Sequence, residues 1–188
     1  MKQQIPNVLT IMRFLMVPVF LYYLFVSTDA SSIKIALFVF IIASITDYLD
    51  GFLARKLQVI SNFGKIMDPL ADKALVISAL AGLCWLYPYK ISMVVFFVIF
   101  LRELLITILR EIYHQKGIVM AADKMGKLKT VMQMVGIIVA LAAWAYLNPL
   151  PDKVIVGVAI WFWIVAAVTL LSGLNYLLVL FNKEQTHA

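Results

Sequence analysis

Four aspartates at helical spacing are the residues of this chain best equipped to do chemistry. Asp47 and Asp50 lie three apart and Asp68 and Asp72 four apart, in the stretch DYLDGFLARKLQVISNFGKIMDPLADK, beside Gly51, Ala54, Arg55 and Gly64. Residues three or four apart share a face of an α-helix. On the first helix Ser44, Asp47, Asp50, Gly51, Ala54 and Gln58 fall within an arc of roughly 120°. Two carboxylates therefore flank a strip of small residues, where a planar or phosphate-bearing ligand could approach the backbone. If the two helices pack antiparallel across the short loop between them, all four carboxylates converge. Repulsion among them calls for cations, and hard oxygen donors suit Mg²⁺ or Mn²⁺ rather than zinc. The spacing points to a two-metal site for phosphoryl transfer, with two divalent ions.

The surroundings sharpen the point, because 64% of the 188 residues are hydrophobic and only 14% are charged. A mean hydropathy of +0.98 is that of an integral membrane protein. An ionised Asp at membrane depth costs roughly 2.5 to 3.5 kcal/mol even on lenient insertion scales, so four in one window mark a functional site. At about 20 apolar residues per span, the length allows one domain, 1–188, of about six transmembrane helices. Pro6 and Arg13 interrupt the first apolar run, so a cleaved signal peptide is not expected. Cys84 is the only cysteine, which excludes an intramolecular disulfide and disfavours a thiolate metal site.

The fold class read from this pattern is an all-α integral membrane protein with a cytoplasm-facing polar active-site cavity. Its spans are expected at 5–26, 33–57, 64–86, 91–113, 125–147 and 154–181. Pro18 is positioned to kink the first. Pro69 lacks an amide donor, so the third helix should begin no more than a few residues before it. Thirteen of the 16 Lys and Arg residues fall on the side of the N-terminus, and only Lys34, Lys90 and Lys153 fall opposite. That bias puts both termini and the Asp stretch in the cytoplasm, with the protein multi-pass in the cell membrane. The net charge of +6 is read as headgroup contact with the bilayer. No basic-aromatic groove accompanies it, so no nucleic acid is expected as a partner.

Polar groups outside the Asp stretch form two further sets. Asn7, Thr10 and Arg13 make one strip on the first helix, which either faces the protein or lets Arg13 snorkel to headgroups. Glu103, Thr107 and Arg110 share a face of the fourth helix that lipid is not expected to cover. On the fifth, Gly126, Thr130 and Gln133 form a stripe flanked by Lys127 and Lys129, about 200° apart. With Arg110 these lysines could make a cationic pocket for a phosphorylated acceptor, although this geometry leaves open whether Lys129 faces the pocket or headgroups. His114 and His187 fall in a loop and the tail and are not read as ligands. The tryptophans are read as interface or packing residues.

The pattern Asp47-x2-Asp50-Gly51-x2-Ala54-Arg55-x8-Gly64-x3-Asp68-x3-Asp72 resembles the CDP-alcohol phosphotransferase motif at all eight signature positions. Members of that family build phospholipid headgroups in membranes. Ile5-Pro6-Asn7-x2-Thr10-x2-Arg13, Asp68-Pro69-Leu70-Ala71-Asp72-Lys73, Arg102-Glu103 with Arg110, and Gly126-Lys127-x-Lys129-Thr130 are similar to the members that make phosphatidylglycerophosphate. The resemblance implies transfer of a phosphatidyl group from CDP-diacylglycerol to glycerol 3-phosphate, with release of CMP. It implies that Asp47, Asp50, Asp68 and Asp72 hold the metals and that Asp72 deprotonates the acceptor hydroxyl. Asn7, Thr10, Asp50, Gly51, Ala54, Arg55 and Gly64 would contact the donor, with Arg55 on its diphosphate. Arg13, Arg110, Lys127 and Lys129 would contact the acceptor. A homodimer is implied in the same way.

Two other readings compete. A sister enzyme would use inositol phosphate or phosphatidylglycerol as acceptor; Arg110, Lys127 and Lys129 separate the two, because an uncharged acceptor would not call for a cationic pocket. A cation or proton transporter would place polar groups in both halves of the membrane and show an inverted repeat. Here the ionisable groups crowd toward one surface.

Overall fold

A computed structural model describes the backbone of residues 4–26, 29–57, 62–86, 88–115 and 124–187. It describes the side chains of residues 12, 14–26, 29, 31–46, 73–86, 88–113 and 125–177. Among these residues all regular structure is helical. The elements are α1 (Gln4–Leu21), α2 (Ala30–Leu57), α3 (Asn62–Trp85), α4 (Met93–Gln115), α5 (Lys124–Tyr146) and α6 (Asp152–His187). Each of the six helices overlaps one of the intervals expected from hydropathy, with α1 ending at Leu21 and α4 beginning at Met93.

Their ends have local causes. Asp29 caps α2, its carboxylate accepting from the Ser31 and Ser32 amides at 3.1 and 3.3 Å and from the Ser32 hydroxyl at 2.6 Å. The helix therefore starts at Ala30, ahead of the apolar run at Ile33, because a carboxylate satisfies amides that a helix start leaves open. Pro18 lies inside α1, and the chain passes into a π-helical turn over Tyr22–Val26. α3 begins at Asn62, earlier than the expectation drawn from Pro69. A proline inside a helix is tolerated in a bundle whose neighbours and local adjustments re-satisfy the freed carbonyl. Beyond the expected end at 181, α6 continues to His187 through Lys, Glu and Gln, which are good helix formers.

α1 packs on α2 and α3, α2 on α5, α5 on α6, and α4 on α3 and α6. The core is apolar, with Phe20, Phe40, Leu80, Ile99, Ile137, Leu141 and Phe162 buried. Close approaches depend on glycine. A Cβ on Gly82 would stand 2.5 Å from Leu24, and one on Gly136 would stand 2.6 Å from the Trp161 indole nitrogen and 3.2 Å from Phe162. That nitrogen donates to the Met132 carbonyl at 3.1 Å. Gly136→Ala is expected to push Trp161 off this bond and destabilise the α5–α6 pair by about 1 to 3 kcal/mol. A lowered thermal midpoint in detergent would show it, and an unchanged midpoint would mean that the interface has slack.

The bundle has an aromatic end and a polar end. At the first, Lys34 lies 5.1 Å from the Tyr146 ring centre, Tyr89 and Trp144 meet edge to face, and the Tyr89 hydroxyl donates to the Ala140 carbonyl at 2.8 Å. Burial pushes the Tyr89 phenol up to about 12, which keeps it a donor well above neutral pH.

On α5, Lys129 and Gln133 are buried while Leu128, Val131, Val135 and Val139 are exposed. On α6, Thr169 and Ser172 are buried while Leu170, Leu171 and Leu174 are exposed. Polar inside and apolar outside is the polarity that lipid surroundings demand. Among the described residues Met125–Tyr146 and Asp152–Leu177 are long and apolar enough to cross a membrane, and Phe14–Val26, Ser31–Thr46 and Lys73–Trp85 are shorter apolar helices.

Candidate active site

The Asp stretch divides between two helices that touch. Asp47, Asp50, Gly51, Ala54 and Arg55 stand on α2, and Gly64, Asp68 and Asp72 on α3. Their side chains, with those of Asn7, Thr10 and Arg13 on α1, lie outside the described residues. Among the described residues no three His, Cys, Asp or Glu side chains gather into a metal-holding group. For divalent ions the fit rests on the donor set: four carboxylates on adjoining helices are hard oxygen ligands of the kind that Mg²⁺ and Mn²⁺ prefer.

A polar network begins at Lys73, one residue beyond Asp72. The Lys73 ammonium donates to the Thr107 hydroxyl on α4. That hydroxyl donates to the Glu103 carbonyl one turn back, at 2.6 Å. The Glu103 carboxylate forms an ion pair with Lys129 of α5 and lies 3.7 Å from the Arg102 guanidinium. From there Arg102 donates to Ser172 of α6 at 2.8 Å, and Ser172 donates to the Thr169 carbonyl at 3.1 Å. Donors and acceptors run in one consistent direction along each branch. Two consecutive α4 residues, with Thr107 one turn on, thus tie α3, α5 and α6 together.

The network settles the phase of α5. Lys129 is 4% exposed and faces Glu103, whereas Lys127 is exposed. Only one of two lysines about 200° apart can face inward. Glu103, Thr107 and Arg110, which sequence placed on one face, reach toward different helices. Glu103 reaches α5 and Thr107 meets Lys73 of α3, while Arg110 is exposed with its guanidinium 5.9 Å from the Tyr176 ring centre on α6. The contacts thus bring Lys129 to Glu103 and Arg110 to Tyr176. Gln133, one turn beyond Lys129, is buried, and its amide nitrogen has no hydrogen-bond partner among the described residues.

Sequence reading did not single out Thr169, Ser172 or Tyr176. Their signal was present as Thr169-x2-Ser172-Gly173-x2-Tyr176, a polar strip at helical spacing in an apolar span. Gly173 belongs to it because a Cβ there would meet the Arg102 side chain at 3.3 Å. A mainly apolar cavity of about 470 Å³ opens between α4 and α6, with Arg102, Ile106, Leu170, Gly173 and Leu177 in its wall.

Residues 3–173 match the CDP-alcohol phosphatidyltransferase family. A Bacillus subtilis protein named CDP-diacylglycerol–glycerol-3-phosphate 3-phosphatidyltransferase is 34% identical over 187 residues, 92% of each chain. A Rickettsia typhi protein of the same name is 31% identical over 179 residues, 93% of this chain and 95% of its own. One from Mycoplasma genitalium, also of that name, is 41% identical over 115 residues, 61% of this chain and 48% of its own.

Proposed function

We propose that this chain, which belongs to the CDP-alcohol phosphatidyltransferase family, moves the phosphatidyl group of CDP-diacylglycerol onto glycerol 3-phosphate. The products are phosphatidylglycerophosphate and CMP. The observation that carries this reading is the family match over residues 3–173, with relatives of that activity by name along more than nine tenths of the chain. The exposed cations Arg110 and Lys127 support an acceptor that bears a phosphate.

In this reaction Asp72 takes the proton of the acceptor hydroxyl. The resulting oxygen attacks the phosphorus that bears diacylglycerol, the bond from that phosphorus to the bridging oxygen breaks, and CMP leaves with the electron pair. Arg55 holds the diphosphate, a task suited to a planar guanidinium. Asn7, Thr10, Asp50, Gly51, Ala54 and Gly64 complete the donor contacts. Arg13, Arg110 and Lys129 attract the acceptor phosphate, and Lys127, exposed on the other side of α5, adds to the positive field at that end of the bundle. Asp47, Asp50, Asp68 and Asp72 would hold two divalent ions, which supply charge neutralisation at the reacting phosphate and the leaving oxygen. The six helices cross the cell membrane as a single domain, with the polar end and both termini cytoplasmic and two copies forming a dimer.

Purified protein given CDP-diacylglycerol and Mg²⁺ is expected to release CMP with glycerol 3-phosphate and not with inositol phosphate or phosphatidylglycerol. Release with either of the latter alone would move the assignment to a sister enzyme. Inertness toward every acceptor, in protein that remains folded, would overturn the transferase reading.

A further inference from the structure

Resting on that reading, we propose that Glu103 is a positioning residue for acceptor recognition, acting through Lys129 and registering it against the helix that carries Asp72. α4 and α5 make no backbone approach among the described residues, so the Glu103–Lys129 pair spans the gap between them. A buried ion pair contributes little net stability compared with well-packed apolar side chains, and removing one partner strands the other charge. Its value here is geometric. The same α4 turn holds Lys73, the neighbour of Asp72, through Thr107, and holds α6 through Arg102 and Ser172. Glu103 thus fixes the depth and direction of the Lys129 ammonium relative to α3. Neither donor chemistry nor proton transfer uses the Glu103 carboxylate directly, so its loss falls on acceptor binding.

Three variants test this by separate Michaelis constants for the two substrates. Glu103→Gln is expected to raise KM for glycerol 3-phosphate about 10- to 100-fold, with KM for CDP-diacylglycerol within about twofold. Glu103→Asp, which keeps the charge, should recover part of the loss. Lys129→Met should raise the acceptor KM by itself, and Glu103→Gln added to it should change little more, because two residues acting as a unit are not additive. Should Glu103→Gln fail to fold, the exchange Glu103→Lys with Lys129→Glu retains a pair while moving the ammonium to α4. A folded exchange variant with a raised acceptor KM supports the role; one with the parent's KM overturns it. Equal changes in both KM values, multiplicative effects of the two single changes, or an unaltered acceptor KM in Lys129→Met would each overturn it too. A parent inert toward glycerol 3-phosphate overturns the proposed function and this role with it, whereas an active parent with a kinetically silent Glu103→Gln overturns this role alone.

Discussion

Asp72→Asn is expected to cut CMP release by about 100- to 10,000-fold, the range over which a positioned general base acts. The amide keeps the size of the carboxylate, but it cannot take the acceptor proton and donates where an oxygen should accept. Donor binding, followed as stabilisation of the protein by CDP-diacylglycerol, should persist, since the donor contacts proposed on α2 are untouched. Asp72 stands on α3 one residue before Lys73, which is anchored to Thr107 of α4. That anchorage makes a general collapse of α3 an unsuitable explanation for the lost turnover. Activity near the parent's would remove Asp72 as the base.

The second large effect concerns divalent ions. Chelation should reduce CMP release to background, and Mg²⁺ or Mn²⁺, but not Zn²⁺, should restore it. The sequence offers few soft ligands. Its one thiol, Cys84, is buried near the far end of α3, and its two histidines stand in the last turns of α4 and α6. Four carboxylates brought together from adjoining helices would repel one another unless cations sat among them, and hard oxygen donors select small hard cations. Release that continues after exhaustive chelation would mean that the Asp set works through protein cations alone. Restoration by Zn²⁺ in preference to Mg²⁺ would contradict the ligand argument.

Sequence by itself determined a good deal here. Hydropathy gave six helical intervals, because each element must satisfy its backbone internally and cover its length with apolar side chains. The Asp47 to Asp72 spacing placed the eight signature residues on α2 and α3, where their backbones stand, and it carried the family resemblance on its own. Phase along one helix is also sequence-determined, at 100° per residue, so Lys127 and Lys129 had to point apart.

Which lysine turned inward was decided only in the folded bundle. A helix's rotation about its axis relative to its neighbours follows from packing, and for α5 that packing includes Gly136 against Trp161 and Phe162. With that rotation set, Lys129 meets Glu103 and Lys127 is left exposed. The same holds for Arg102 and Ser172, which are 70 residues apart and become partners because α4 packs on α6. Arg110 shares a face with Glu103 on a helical wheel, yet a long flexible side chain goes where a neighbour offers a surface, and the Tyr176 ring offers one. Spacing fixes which residues can act together on one helix, whereas only the tertiary contacts decide which charge on the next helix answers them.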